Sequence, residues 1–114
     1  MDLPKAKLII TQGGTIGKEF LINSPKVLIG RWDREQEIMP DIDLSDDDLD
    51  LTISRKHAYI YYKDGHFYLE DCNKKNLSFI NRHQSLGPHI PHQLENGNEI
   101  ILGKLFFRFF IENN

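Results

Sequence analysis

The chain consists of short apolar or alternating stretches separated by turn-forming residues. Eight stretches of strand length, rich in Ile, Val, Phe and Tyr, are residues 7–11, 18–22, 26–30, 57–62, 66–71, 77–81, 98–103 and 105–111. Branched and aromatic side chains suit the half-buried surface of a pleated sheet. No stretch sustains the 3.6-residue apolar repeat of an amphipathic helix. The pattern therefore predicts an all-β protein.

The separators have the composition of tight turns. Gly, Asn, Asp and Pro recur in "QGGTIG", "NSP", "KDG", "ENGN" and "LGK", and these residues tolerate a positive φ or fix a turn. Many short strands spaced by about 8–12 residues are typical of a sandwich of two sheets. We expect a two-sheet, mostly antiparallel β-sandwich that forms a single domain over residues 1–114, with its core at about 7–111.

Two segments interrupt this pattern. Residues 33–50 are long for a connection in a compact domain, and "DIDL" at 41–44 could pair briefly as a short strand. Residues 81–97 are polar and rich in Pro and His, with one short strand expected at His89–Ile90.

Composition limits the function classes. A chain of 114 residues can bury one core without metals or disulfides, and it has no apolar run of the roughly 18 residues that a membrane span needs. Cys72 is the only cysteine, so no intrachain disulfide can form. We expect a cytoplasmic protein, monomeric by default, without a membrane or nucleic-acid partner.

The net charge of −3 hides an uneven distribution of charge. Residues 33–50 carry nine acids and one base, a net charge of −8, whereas the remainder carries 13 bases and eight acids. Several of those bases fall at predicted strand ends. The sequence thus combines an acidic loop with basic loops.

Three motifs do not meet the requirements of the sites they resemble. "GGTIGKE" lacks the first glycine of a phosphate-binding P-loop and has Glu19 in place of its Ser or Thr, so we expect a hairpin turn there. A calcium loop starting at Asp41 would need glycine and glutamate where Asp46 and Thr52 stand, and a solvated acidic face is the better interpretation. The five histidines lack the spacing of zinc ligands. We predict no metal and no cofactor.

"SRKH" at residues 54–57 allows two functional interpretations. A small hydrolase would use Ser54 as nucleophile and His57 as base, with an orienting group and an oxyanion hole. In an extended strand, however, residues three apart point to opposite faces. An anion site is the second interpretation, because an arginine and a serine hydroxyl bind phosphate oxygens through charge-assisted hydrogen bonds. Arg31 and Asn76, in other strand-linking loops, could converge on Ser54 at one end of a sandwich.

The order of these elements resembles a known family. Gly30-Arg31, then Ser54 to His57, then Asn76-Leu77-Ser78, then Gly97 to Gly103 resemble the signature of the forkhead-associated domain, a β-sandwich that reads phosphothreonine peptides. The similarity runs from about residue 7 to 111. It implies a non-enzymatic module whose partner is a protein or peptide containing phosphothreonine.

The resemblance also implies a role for each matching residue. Arg31 and Ser54 would hold the phosphate, with Arg55 and Lys75 reaching the phosphate or the adjoining peptide, and Asn76 would bond the peptide main chain. Two further residues would support the site. Gly30 would let the chain turn so that Arg31 points inward, and His57 would tie the site loops together.

Two features of this chain depart from the family pattern. Leu77 stands where the family has glycine, which would misplace Asn76 if that position needs a positive φ. The acidic segment 33–50 would border the site and would favour basic residues around the phosphothreonine. An alternative is therefore a degenerate member of the same fold, whose acidic loop binds a basic partner independently of phosphate.

Overall fold

A computed structural model describes residues 3–72, 78–82 and 86–112, and these residues form ten β-strands. The strands are β1 Lys5–Gln12, β2 Glu19–Ile22, β3 Lys26–Gly30, β4 Ile42–Asp43, β5 Ala58–Lys63, β6 His66–Asp71, β7 Ser78–Ile80, β8 His92–Leu94, β9 Glu99–Leu102 and β10 Leu105–Glu112. Within the described part of the chain, no helix is long and apolar enough to cross a membrane.

The strands pair into two five-stranded sheets. One has the order β2-β1-β10-β9-β7 and the other the order β4-β3-β5-β6-β8. All neighbours are antiparallel except β3 and β4, which run parallel over two residue pairs. The predicted two-sheet, mostly antiparallel sandwich is confirmed.

Alternating side chains of both sheets meet in one apolar core. In β1 the buried residues alternate with exposed or half-buried ones, and β6 and β10 show the same two-residue period. This period is what a sheet with one buried face requires. The largest fully buried side chains come from both sheets and from the loop before β5: Phe67, Phe107, Phe109, Leu8, Ile10, Ile29, Leu44, Ile53, Ile60, Leu69, Ile100 and Leu102.

The eight predicted strands all form, each within two residues of its predicted ends. "DIDL" contributes the short strand β4, and the hairpin turn predicted at "GGTIG" joins β1 to β2. The strand expected at His89–Ile90 is wrong, because His89 has a φ of 62° and the strand lies at His92–Leu94. Only Leu94 of β8 is buried, so this strand gives almost no apolar signal in the sequence.

Several loops gather at one end of the sandwich. β3 ends where β5 begins, since Ile29 pairs with Ala58, and Ala58 in turn pairs with Asp71 at the end of β6. In the other sheet, β1 ends beside the start of β10. β3 and β6 therefore end, and β5 begins, at the same end of one sheet.

Candidate functional site

Arg31 holds the loop that carries Ser54 through two hydrogen bonds. Its backbone N–H donates to the carbonyl of Arg55 at 3.2 Å, and its side-chain Nε donates to the carbonyl of Ile53 at 2.6 Å. The two acceptors lie on either side of Ser54 in the chain. The structure thus brings together Arg31, Ser54 and Arg55, which come from two separate loops.

Gly30 is needed for close packing rather than for a turn. A Cβ atom at this position would lie 1.9 Å from the carbonyl oxygen of Arg55, and Gly30 is not among the residues with positive φ. Gly30 therefore supports the site as predicted, but through close backbone packing and not by letting the chain turn. Only a residue without a side chain allows the backbone of the Ser54 loop to approach β3 this closely.

His57 lies inside the protein and is bonded to three segments. It is fully buried; its backbone N–H donates to the carbonyl of Ile29 at 2.9 Å, and its carbonyl accepts from the N–H of Cys72 at 2.9 Å. The ring nitrogen Nδ1 accepts a hydrogen bond from the backbone N–H of Ser54 at 3.1 Å. His57 therefore contacts the strand before Arg31, the end of β6 and the Ser54 loop.

The contact between Ser54 and His57 corrects one step of the sequence argument. β5 begins at Ala58, and residues 54–57 form a bend rather than an extended strand. Alternation of faces does not apply in a bend, so the two residues approach each other. Their contact uses the backbone N–H of Ser54 and a ring with no exposed surface.

Arg55 forms an ion pair with the first acid of the 33–50 segment. Its Nη1 lies 2.6 Å from Oδ2 of Asp33. The other oxygen of Asp33 accepts hydrogen bonds from the backbone amides of Glu35 and Gln36, at 3.0 and 3.3 Å. The hydrogen bond from Arg55 is the largest influence on the Asp33 carboxyl and lowers its pKa. Asp33 is therefore an anchored, ionised carboxylate beside the site.

Asp48 fixes the backbone just before Ser54 through hydrogen bonds. Its side chain is buried and accepts hydrogen bonds from the amide and hydroxyl of Thr52, at 2.8 and 3.0 Å, and from the amide of Ile53 at 2.8 Å. Asp48 was not among the site residues predicted from the sequence. The signal available was an Asp four residues before a Thr, since short polar side chains bond nearby backbone amides in turns.

Asp47 ties the same segment to the β1–β2 hairpin. Its carboxylate accepts hydrogen bonds from the amide of Thr15 at 3.1 Å and from Nζ of Lys18 at 2.8 Å. Burial of Asp47 opposes ionisation, but the hydrogen bonds from Lys18 and Thr15 together outweigh it and lower the pKa. The hairpin and the acidic segment are thereby fixed to each other.

These contacts change the interpretation of the acidic segment. Asp47 and Asp48 are each only 3% exposed, so the solvated acidic face is wrong for both. Among the described residues, four of the nine acids lie within 4 Å of a cation, in pairs of 2.6 to 3.9 Å: Asp33 with Arg55, Asp47 with Lys18, Asp48 with Arg31 and Asp50 with Lys104. The outward charge of this segment is much smaller than −8.

A shallow groove lies directly beside Arg31. Trp32 is half exposed along this groove, and the guanidinium of Arg34 lies 4.9 Å from the centre of the Trp32 ring. The residues that line the groove combine three cations, two acids and one aromatic ring: Arg31, Trp32, Asp33, Arg34, Glu35 and Arg55.

The remaining predicted site residues, Lys75 and Asn76, lie outside the described residues, as does Leu77. Their predicted roles therefore stay predictions. Within the described ranges, no three His, Cys, Asp or Glu side chains are close enough to hold a metal ion.

Comparison with known proteins agrees with this architecture. A family model for the FHA domain matches residues 27–103. The oxoglutarate dehydrogenase inhibitor of Corynebacterium diphtheriae is 32% identical over 105 residues, which cover 92% of this chain and 64% of that protein. The glycogen accumulation regulator GarA of Mycolicibacterium smegmatis is 32% identical over 99 residues, which cover 87% of this chain and 54% of that protein.

Among solved structures, the FHA domain of an Arabidopsis thaliana hypothetical protein superposes with a TM-score of 0.79. The two are 23% identical, and the match covers 97% of this chain and 88% of that one. The two relatives named above are by name an inhibitor and a regulator, and neither name supports the hydrolase interpretation of Ser54 and His57. The chain belongs to the forkhead-associated domain family of non-enzymatic interaction modules.

Proposed function

We propose that this chain binds a partner protein at a phosphorylated threonine, through the end of the sandwich that carries Arg31 and Ser54. The observation that carries the proposal is the pair of hydrogen bonds by which Arg31 grips the backbone on both sides of Ser54. That contact brings the Arg31 guanidinium to the backbone beside Ser54, whose hydroxyl would be the second phosphate ligand. Neither group alone would distinguish a phosphate from other anions.

The chemistry of these groups suits a phosphate. Nε of Arg31 donates its hydrogen bond to the carbonyl of Ile53. The two terminal nitrogens of the Arg31 guanidinium form no hydrogen bond with another described residue. They are the donors that a phosphate would accept from, together with the Ser54 hydroxyl. Each such charge-assisted hydrogen bond contributes about 1.5–3 kcal/mol. Arg55 and Lys75 would add charge, and Asn76 would bond the peptide main chain beside the phosphothreonine.

The supporting residues would work by fixing the loops rather than by touching the ligand. Gly30 lets the Arg55 carbonyl approach β3. The buried ring of His57 accepts a hydrogen bond from the backbone amide of Ser54. A site whose backbone is held in this way loses little conformational entropy when it binds. We propose positioning roles for both residues on this ground.

The mode of action, the cellular compartment and the domain organisation are also proposals. The two named relatives are an inhibitor and a regulator, so we propose that the chain acts by binding alone. The lone thiol of Cys72 suits a reducing compartment, and we place the protein in the cytoplasm. We treat residues 1–114 as one domain because strands near both ends of the chain, β1 and β10, pair with each other.

The test is a titration of fluorescent peptide pools with a central phosphothreonine or a central threonine. We expect measurable binding of the phosphorylated pool only. Arg31→Ala should abolish this binding, and Arg31→Lys should weaken it, because an ammonium keeps the charge but lacks the two-pronged geometry of a guanidinium.

Lys63→Ala is the matched control, because Lys63 is an exposed cation where β5 ends, away from the Arg31 loop. It removes the same charge and should leave the affinity unchanged. Equal binding of phosphorylated and unphosphorylated pools would reject the proposal and favour the alternative of a phosphate-independent, degenerate domain.

A further inference from the structure

Asp33 forms an ion pair with Arg55, a residue that is predicted to contact the phosphate. The distance from Arg55 Nη1 to Asp33 Oδ2 is 2.6 Å, while the side chain of Arg55 is 46% exposed and that of Asp33 only 15%. The better covered partner of this pair is the acid.

Asp33 is also the more firmly fixed partner. It exchanges two backbone hydrogen bonds with Ile38, each of 2.9 Å, and its Oδ1 accepts the amides of Glu35 and Gln36. These bonds close a tight turn over residues 33–38. The carboxylate thus keeps its place, and the long side chain of Arg55 is the part that can move.

The ion pair lies within the groove that Arg31 also lines. A phosphate bound to Arg31 and Ser54 would therefore meet a fixed carboxylate nearby. It would have to share Arg55 with Asp33 or draw Arg55 away from it.

We propose that Asp33 is an internal counter-ion that occupies Arg55 in the unbound protein and thereby limits the affinity for phosphothreonine peptides. This inference rests on the proposed function. Two effects act in the same direction. Arg55 must give up a salt bridge to serve the ligand fully, and the carboxylate repels the phosphate, which carries about −1.5 to −2 charges.

The expected size of the effect follows from the exposure of the pair. Partly exposed ion pairs are weak, so release of Arg55 should tighten binding by about two- to five-fold. A stronger effect is not expected, since the substitution leaves Arg31 and Ser54 unchanged.

The experiment compares wild type, Asp33→Asn, Arg55→Ala and the double variant, at one ionic strength. The probe is a phosphothreonine peptide with alanine at the flanking positions, alongside the same peptide with threonine. Asparagine keeps an oxygen that can accept the Glu35 and Gln36 amides, so the turn is retained and only the charge is removed. Thermal denaturation of each variant shows that it is folded.

Glu37→Gln is the matched control. Glu37 is an exposed acid of the same turn that does not line the groove. We expect Asp33→Asn to bind the phosphopeptide about two- to five-fold more tightly. We expect Glu37→Gln to change affinity by less than about 1.5-fold, since an exposed charge outside the site is largely screened. In the Arg55→Ala background, the gain from Asp33→Asn should be smaller, because only the relief of repulsion between the carboxylate and the phosphate remains.

The outcomes separate the two proposals. Unchanged or weaker binding by Asp33→Asn, a gain that is equally large without Arg55, or a gain equal to that of Glu37→Gln overturns the role of Asp33 and leaves the proposed function standing. If the wild type shows no preference for the phosphorylated peptide, the proposed function itself fails, and the role of Asp33 fails with it.

Discussion

The carboxylate of Asp48 accepts a hydrogen bond from the backbone amide of Ile53 at 2.8 Å, one residue before Ser54. A second bond of the same length joins it to the amide of Thr52. The loop that presents Ser54 is therefore held from two directions: Asp48 binds its amides, and Arg31 binds its carbonyls.

Removal of the Asp48 carboxylate should destabilise the protein. In Asp48→Ala, two amides and one hydroxyl lose their acceptor in a poorly hydrated site, and we expect the free energy of unfolding to fall by about 2–4 kcal/mol. Urea denaturation measures this change. Asp46→Ala removes an exposed acid of the same segment and should change the free energy of unfolding by less than about 0.5 kcal/mol. Equal effects of the two substitutions would contradict a specific role for Asp48.

Gly30 should not tolerate even the smallest side chain. Gly30→Ala places a methyl group 1.9 Å from the Arg55 carbonyl oxygen, so the Ser54 loop must move. We expect a loss of about 3 kcal/mol or more in the free energy of unfolding, together with loss of phosphopeptide binding. Gly65→Ala is the control. Its φ is +86° but no atom lies within 4 Å of the added carbon, so strain of about 1–2 kcal/mol is expected there, with binding retained.

The contribution of Asp47 to stability should depend on pH. Its pKa is lower in the folded protein than the 3.8 of an unperturbed aspartate. The stabilisation is therefore complete above pH 3.8 and is lost as the pH falls through the folded-state pKa. Asp47→Asn should lower the free energy of unfolding by about 1–3 kcal/mol at pH 7, and the difference from wild type should shrink on acidification. Urea denaturation at several pH values measures it, and a constant difference would contradict the assignment.

Cys72 should react slowly with thiol reagents. Burial is the main cause, and Asp71 and Glu70 add to it, so the pKa of the thiol is raised from 9.0 to about 11. At pH 8 the thiolate fraction, and with it the rate of reaction with Ellman's reagent, should be about 100-fold below that of an ordinary cysteine. The rate should rise in 8 M urea and with increasing pH. Similar rates in the folded and unfolded protein would show that the thiol is unperturbed.

The strands were accessible from sequence because one physical rule governs them. A sheet with one buried face requires buried residues to alternate with more exposed ones, as they do in β6 and in β10 as far as Phe109. Where a strand buries a single residue, as β8 buries Leu94, the sequence shows no alternation from which the strand could be predicted. The order of Arg31, Ser54 and His57 identified the family correctly, although the bend between Ser54 and His57 was not foreseen.

The roles of the acids were not accessible from sequence. Asp46, Asp47 and Asp48 are adjacent and chemically identical, yet Asp46 is exposed while Asp47 and Asp48 are buried. Which carboxylate turns inward depends on where Lys18 and the amides of Thr52 and Ile53 come to lie, and these partners are set by the tertiary fold. The net charge of a segment therefore overstates the negative charge at its surface wherever its acids are buried and paired with protein groups.

The pairing of β1 with β10 has a practical consequence. Lys5 lies opposite Glu112 at one end of this pair. Beyond the other end, the hairpin after Gln12 is bonded to Asp47, the neighbour of the Asp48 that fixes the loops of the site. A strand of eight residues is about 25 Å long. A surface, a fluorophore or a neighbouring domain joined to either outer end would lie a full strand length from those loops. A label attached to Lys5 or Glu112 should therefore leave the Ser54 loop accessible to a partner.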